Sequence, residues 1–240
     1  MYDISEYENK GVNNMDNSTL TPTKATAMQN EALNPICDKC NSDIQDACNT
    51  FIEKVKSVWE DDYACQYMAT FKKTIDSIIS ELSENNGVFN ETLQGVCSQY
   101  TTVGGMGDDL YQGKPTKYES FLNFNEDEFK TFDDGETFGF KGGDLGSADE
   151  VGQAFADCSE LINSAMSEVQ TKVSDEKAFG VENINSNFGE SASNLVKIVK
   201  DKLDALKNNL DEQLSATKSA YASADENAKS SSLINEESGE

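Results

Sequence analysis

Residues 59–100, WEDDYACQYMATFKKTIDSIISELSENNGVFNETLQGVCSQY, decide the fold. Apolar side chains recur in this stretch at intervals of three, four or seven residues, as on one face of an α-helix. These positions are Phe71, Ile75, Ile78, Leu82, Phe89, Leu93, Val96 and Tyr100. Asn85-Asn86-Gly87 is typical of a break, but Leu82 and Phe89 keep the phase of the stripe across it. The stretch therefore predicts one long helix that is weakened locally at Gly87.

Three further stripes with helical spacing predict three more helices. The stripe before Trp59 contains Ile36, Cys40, Ile44, Cys48, Phe51 or Ile52, Val55 and Val58. The third contains Val151, Phe155, Cys158, Ile162, Ala165, Val169 and Val173. The fourth contains Phe188, Ala192, Val196, Val199, Leu203, Leu210, Leu214, Thr217 and Tyr221. The sequence therefore predicts an all-α protein with four main helices.

The stripes divide the chain into two predicted helical hairpins, residues 35–100 and residues 148–226. Residues 1–34 are polar and lack a period, so they predict a disordered leader. Residues 101–147 mix glycine, phenylalanine and acidic residues and predict an irregular linker. Residues 227–240 predict a disordered tail.

The predicted hairpins turn at Trp59, Glu60 and Asp61 in the first half and at Phe179 and Gly180 in the second. The aspartates at 61 and 62 are suited to cap the helix that follows them. At one constant offset Ile75 aligns with Val196 and Tyr100 aligns with Tyr221, without a gap. An offset shared by both arms and the turn favours two hairpins in tandem.

The formal net charge of -25 argues against a nucleic acid or an anionic membrane surface as partner, because both would repel the protein. Apolar runs are too short for a transmembrane helix, so we expect no membrane insertion. The first ten residues, MYDISEYENK, are acidic and lack the apolar region of a cleaved signal peptide. Export would therefore require another route.

Of the six cysteines, Cys37, Cys40 and Cys48 are predicted to be buried free thiols. Cys37 and Cys40 form a CxxC pair, but a second pair is missing and the chain has no histidine, so a zinc site is the weaker interpretation. Cys37, Cys40 and Cys48 also fit the apolar side of a helix. We therefore expect no metal.

Two segments of the linker resemble ligand-binding motifs. Asn123, Asn125 and Asp127 match part of a calcium loop, but Glu128 stands where that loop needs glycine. The segment Gly104-Gly105-Met106-Gly107 lacks the Lys-Ser/Thr of a phosphate-binding loop. The absence of histidine removes the commonest general base, and no pair of carboxylates has a distinctive spacing. We expect no cofactor and no enzymatic activity.

The first half, with a shorter helix, a turn at Trp59 and a longer helix, resembles the WXG superfamily of helical hairpins exported by type VII (ESX-like) secretion systems. Tyr221 and Asp225 match the family's Tyr-x-x-x-Asp/Glu export signal. The family has no cleaved signal peptide and pairs as antiparallel four-helix bundles. The resemblance implies a protein made in the cytoplasm and secreted, with the type VII machinery, a WXG-like protein or a secreted toxin as partners.

Each half carries one part of that signal. The first half has Trp59-Glu60-Asp61 where the family has Trp-x-Gly, and the second half has Phe179-Gly180 in place of the tryptophan turn. The resemblance therefore implies an export signal assembled from Trp59, Tyr221 and Asp225 within one antiparallel four-helix bundle. Trp59 and Tyr221 would lie at a bundle end, where replacing either is expected to leave helicity nearly intact.

The linker length also favours an antiparallel arrangement. A helix of about 25 residues is ~38 Å long, and a flexible linker of about 46 residues spans ~37 Å root-mean-square. A parallel arrangement of the two hairpins would need only a few linking residues.

The alternative function is an intracellular acidic scaffold or chaperone that holds a basic client, such as a secreted toxin, on its charged helix faces.

Overall fold

The structure, a computed structural model, describes residues 20–104, 110–130, 139–140, 145–175 and 182–237. In chain order the elements are α1 (Pro22–Ala27), a π-helical turn (Met28–Leu33), α2 (Asn34–Val58), β1 (Trp59–Glu60), α3 (Asp62–Gly104), a 3-10 turn (Glu126–Phe129), β2 (Gly139–Phe140), α4 (Ser147–Ser174) and α5 (Glu182–Glu237). Helices account for 86% of the described residues, which confirms an all-α protein with four long helices. No helix in the described ranges is both long and apolar enough to cross a membrane.

Helix α3 runs without interruption through Asn85-Asn86-Gly87, as the phase of its apolar stripe predicts. The two asparagines do not break the helix because their amides bind other elements. Asn85 Nδ2 donates to Ser191 Oγ at 2.7 Å, and the fully buried Asn86 accepts from Gln29 Nε2 at 2.9 Å. A buried amide with partners stabilises this position, although asparagine is a poor helix former.

The N-terminal boundary differs from the predicted one. Helix begins at Pro22, where Thr21 Oγ1 accepts from the Lys24 amide at 3.3 Å. Leu20 and Leu33 are buried, so the chain is ordered within the predicted disordered leader. Residues 1–19 lie outside the described residues. The polar face of this helix misled the prediction, because its side chains bind the linker rather than water.

The C-terminal boundary also differs. Helix α5 continues to Glu237, through most of the segment predicted as a disordered tail. Side chains from residue 222 to residue 231 are exposed, so local propensity and pairs such as Asp225 with Lys229, 2.6 Å apart, support this last part of the helix.

The first compact unit comprises residues 1–44, 78–119 and 162–200. Its described core is mainly aliphatic and thiol-bearing. Cys40 Sγ lies 3.8 Å from Met166 Sδ, and the rings of Phe89 and Phe188 are 4.9 Å apart. These contacts join α2 to α4 and α3 to α5.

The second compact unit comprises residues 45–77, 120–161 and 201–240. Its core is rich in aromatic rings, with Phe51 4.9 Å from Phe71 and 5.6 Å from Phe155 between ring centroids. Each of the two units draws on both predicted hairpins. The candidate site lies within the second unit.

The buried residues follow the predicted stripes closely. All seven positions predicted for α4 are buried. In the other helices some stripes are displaced by one residue, so Cys37, Cys97 and Leu195 are buried while Ile36, Val96 and Val196 are half-buried. The helical period was therefore predicted correctly, and the errors are small rotations of a face.

Candidate functional site

The turn between α2 and α3 is fixed by Asp61. Helix α2 ends at Val58, Trp59 and Glu60 are extended, and α3 begins at Asp62. Asp61 Oδ1 accepts from the Ala64 amide at 2.6 Å, which satisfies one of the free N–H groups in the first turn of α3. The prediction that an aspartate here caps the second arm is confirmed at Asp61.

Three buried side chains join this turn to helix α5. Trp59 Nε1 donates to Thr217 Oγ1 at 3.2 Å, and the Thr217 hydroxyl donates to Asp61 Oδ2 at 2.7 Å. The exposed fractions of Trp59, Thr217 and Asp61 are 0%, 2% and 8%. One hydroxyl therefore uses both its donor and its acceptor capacity, and the carboxylate is stabilised by it and by the start of α3.

The indole ring of Trp59 is part of the aromatic core rather than a cover over a hairpin end. Its centroid lies 6.1 Å from that of Tyr67 and 6.3 Å from that of Phe140. Tyr67 in turn contacts Phe51 and Phe155. The expectation that Trp59 can be replaced with little effect on the fold is therefore not supported, because truncating a fully buried indole leaves a cavity.

A two-residue strand from the linker closes the site. Trp59 pairs with Phe140 and Glu60 pairs with Gly139 in an antiparallel bridge. Gly139 has φ +89°, a conformation that other residues rarely adopt, and a Cβ there would lie 3.2 Å from Tyr221 Cδ2. The linker backbone thus approaches the Tyr221 ring closely, in a way that glycine permits.

The structure brings two of the three predicted signal residues into one neighbourhood. Tyr221 is half-buried and lies one helical turn after Thr217, which binds Trp59. Asp225 is a further turn along α5, exposed, and paired with Lys229. Phe179 and Gly180, the predicted second turn, lie outside the described residues.

The roles of Thr217, Gly139 and Phe140 were not predicted from the sequence. Thr217 occupies a position in the apolar stripe of α5, and a hydroxyl group in such a stripe is the feature that indicates a buried hydrogen bond. Gly139 and Phe140 lie in a linker without a period, where a single glycine between phenylalanines gives no indication of its partner strand.

The core beside the site contains titratable groups that burial keeps neutral. Burial raises the pKa of the Tyr67 phenol well above its usual value, and its hydroxyl has no hydrogen-bond partner within the described part of the chain. The pKa of the Cys48 thiol is raised chiefly by a hydrogen bond with the Cys158 thiol and, to a smaller extent, by burial. Cys37, Cys40 and Cys48 are buried free thiols, as predicted.

Metal-binding geometry is not found in the described residues, where no cluster of three or more cysteine, aspartate and glutamate side chains is arranged to hold an ion. In the linker, Asn125 and Glu128 form a capping box around the 3-10 turn. This explains locally the polar segment that resembled part of a calcium loop.

Comparison with known proteins gave no match: no protein-family model, no curated protein and no solved structure is significantly similar to this chain. The residues and contacts of this site are therefore the basis for proposing a function.

Proposed function

We propose that the protein is a substrate of a type VII (ESX-like) secretion system, with an export signal composed of Trp59, Tyr221 and Asp225. The observation that carries the proposal is the hydrogen bond from Trp59 to Thr217, which fastens the tryptophan turn to the helix bearing the Tyr-x-x-x-Asp segment. In the WXG superfamily, which the sequence resembles, these two features come from two paired hairpins. Here one chain supplies both.

The proposal includes two hairpins that pair in an antiparallel four-helix bundle. Contacts within each unit support it, because rising residue numbers on one helix meet falling numbers on the other. The pairs are Phe51 with Phe155 and Lys54 with Glu150 in the second unit, and Asn85 with Ser191 and Phe89 with Phe188 in the first. The first two pairs join α2 to α4, and the other two join α3 to α5.

The three signal residues have different parts in this proposal. Trp59 is fully buried, so it acts by positioning α5 and not by touching the secretion machinery. Tyr221 is half-buried and Asp225 is exposed, so the machinery can contact these two side chains directly. The acidic surface adds a long-range attraction for a basic receptor.

The test is export from the native host, with the chain quantified in culture medium and in cells. In a strain whose type VII membrane ATPase is intact, the protein should accumulate in the medium, and inactivating the ATPase should retain it in the cells. A cytoplasmic marker protein controls for lysis. Equal amounts in the medium of both strains, or none in either, would contradict the proposal.

The net charge of -25 favours a second candidate, an intracellular scaffold or chaperone for a basic client. Affinity isolation from cytosol at low and high ionic strength distinguishes it. The scaffold should retain a basic protein that is released by salt, because surface attraction of this kind is screened.

A further inference from the structure

Residues 110–119, LYQGKPTKYE, form a segment, here called the strap, that lies against the helical stretch running from α1 through the π-helical turn to the start of α2. Three acceptors on that stretch, Thr26, Asn30 and Asn34, are spaced four residues apart. Thr26 Oγ1 accepts from the Gln112 amide, Asn30 Oδ1 from the Lys114 amide and Asn34 Oδ1 from the Thr116 amide, at 3.0, 3.0 and 3.1 Å. Each bond is made to the main chain of the strap.

The spacing of the acceptors along the helical stretch matches the spacing of alternate amides along the strap. Acceptors at every fourth residue of a helical stretch that includes the π-helical turn meet alternate amides of the strap. Alternation of this kind is typical of an extended chain, in which two residues advance about 6.6 Å. Pro115, which has no N–H, falls at a position that these acceptors do not contact. The pattern of hydrogen bonds between the helical stretch and the strap is therefore compatible with proline at position 115.

The opposite wall of the groove is formed by α3. Asn86 Nδ2 donates to the Thr116 carbonyl at 3.2 Å. Ser83 Oγ accepts from the Tyr118 amide at 2.8 Å and donates to the Tyr118 carbonyl at 3.3 Å. Asn34 Nδ2 also donates to the Lys114 carbonyl, at 2.8 Å. The groove thus binds both the donors and the acceptors of the strap.

Buried amides hold the groove in shape. Gln29 and Asn86 are fully buried, and Gln29 Nε2 donates to Asn34 Oδ1 at 2.8 Å and to Asn86 Oδ1 at 2.9 Å. Asn86 Nδ2 also donates to Asn34 Oδ1, at 3.0 Å. Asn34 and Asn86, which both contact the strap, are therefore held in position by this buried amide network.

Side chains at the two ends of the strap add selectivity. The Tyr111 hydroxyl donates to Asn90 Oδ1 at 2.8 Å, and the Tyr118 hydroxyl donates to Asp38 Oδ1 at 2.7 Å. A Cβ at residue 113 would overlap the Tyr111 hydroxyl, so this position fits glycine. The groove favours a tyrosine, a glycine two residues later and a second tyrosine.

We propose that this groove is a peptide-binding site, and that the strap is its intramolecular ligand. The ligand class is an extended peptide of about eight residues with free N–H groups at alternate positions, the geometry of strand-like recognition. The strap occupies the groove in cis, and the same sequence supplied as a separate peptide binds when the chain's own strap cannot. This proposal is independent of export.

Amide hydrogen exchange on the unmodified protein provides the first test. The amides of Gln112, Lys114, Thr116 and Tyr118 should be protected, while those of Gly113 and Lys117 should exchange rapidly. This alternation follows from the hydrogen bonds of the groove. Uniform protection or no protection along the strap would overturn the proposal.

Binding in trans provides the second test. The peptide is added to the full-length chain carrying Lys114→Pro and Thr116→Pro, here called the acceptor chain. These substitutions remove two of the hydrogen-bond donors in its own strap. A fluorescent peptide of residues 110–119 should bind this acceptor with a saturable change in anisotropy. Adding Asn30→Ala, a change at an exposed residue, should weaken binding by about tenfold.

The control peptide carries proline at positions 114 and 116 and should not bind. A circular dichroism spectrum of the acceptor confirms that it remains helical, and if it does not, Thr116→Pro alone is the acceptor. Failure of the native peptide to bind a folded acceptor at about 1 mM, the effective concentration expected of a tethered segment, would overturn the proposal.

Discussion

The indole nitrogen of Trp59 donates a hydrogen bond, 3.2 Å long, to the hydroxyl oxygen of Thr217, a residue 158 positions further along the chain. The Thr217 hydroxyl in turn donates a hydrogen bond to Asp61, the residue that caps α3. The tryptophan turn, the start of α3 and the helix carrying Tyr221 therefore share one buried hydrogen-bond network. Replacing any residue of this network should therefore weaken the hydrogen bonds made by the other members.

Replacing Thr217 with valine tests this network with almost no change in side-chain volume. The substitution leaves the Trp59 N–H and one Asp61 oxygen without their partner, so the free energy of unfolding should fall by about 1–3 kcal/mol. Urea denaturation measures the loss. Trp59 is the only tryptophan, so its emission reports the change in the same sample.

Ser219→Ala is the matched control for Thr217. Ser219 is exposed on the same helix and its hydroxyl donates to the Ser215 carbonyl of that helix at 2.9 Å. Its removal should change the unfolding free energy by less than about 0.5 kcal/mol. Equal effects of the two substitutions would show that the Trp59 network contributes nothing specific.

Gly139→Ala tests the close approach of the linker to Tyr221. The new Cβ would meet the Tyr221 ring and the Thr217 methyl group at 3.2 and 3.3 Å, in a backbone conformation that alanine resists. We expect a loss of about 1–3 kcal/mol in stability and a change in the Tyr221 ring resonances. Nuclear magnetic resonance of ring-labelled tyrosine and urea denaturation together measure both effects.

Gly152→Ala provides the opposite expectation in the same unit. Gly152 lies inside α4, and a Cβ there has nothing within 4 Å. The substitution should stabilise the protein by about 0.4–1 kcal/mol through lower entropy of the unfolded chain. If both alanine variants were stabilising, the strand-to-Tyr221 contact would have no energetic consequence.

The helices were predictable because their burial repeats with the helical period, which is a local property. The phase of Leu82 and Phe89 was enough to show that α3 continues past Gly87. The leader was mispredicted because Thr26, Asn30 and Asn34 look like solvated residues, whereas their partners are the main chain of residues 112–116. A polar side chain gives no indication of whether water or a distant backbone binds it.

The candidate site was predictable only in part for the same reason. Trp59 and Tyr221 were identified from a family resemblance, and Asp61 from its capping chemistry. Thr217 and Gly139 depend on contacts between segments far apart in the chain, which a helical period does not encode.

Trp59→Ala should lower the free energy of unfolding by about 3–5 kcal/mol, the usual range for truncating a buried aromatic side chain. Thermal denaturation followed by circular dichroism measures the change. Val88→Ala is the control, because Val88 lies on α3 with 43% of its surface exposed. A small effect of Trp59→Ala would mean that the indole is not part of a packed core.

Thiol reactivity tests the burial of the cysteines. Burial, and then the nearby Asp43 carboxylate, raises the pKa of Cys40 to about 12, so at pH 8 this thiol is protonated and unreactive. Cys65 is half-buried and should react first with a disulfide reagent. Cys65→Ser should remove that fast phase, while Cys37, Cys40 and Cys48 should react only after unfolding. Rapid modification of these three in the native protein would contradict their burial.

The most direct measurement is secretion of three full-length variants, Tyr221→Ala, Asp225→Ala and Ser223→Ala, from a host with an active type VII system. All three positions lie on α5, and Ser223 and Asp225 are exposed. If Tyr221 and Asp225 are contacted by the machinery, their alanine variants should be folded but retained in the cells, while Ser223→Ala should be exported like the wild type. Export of Tyr221→Ala at the wild-type level, with helicity unchanged, would contradict the account.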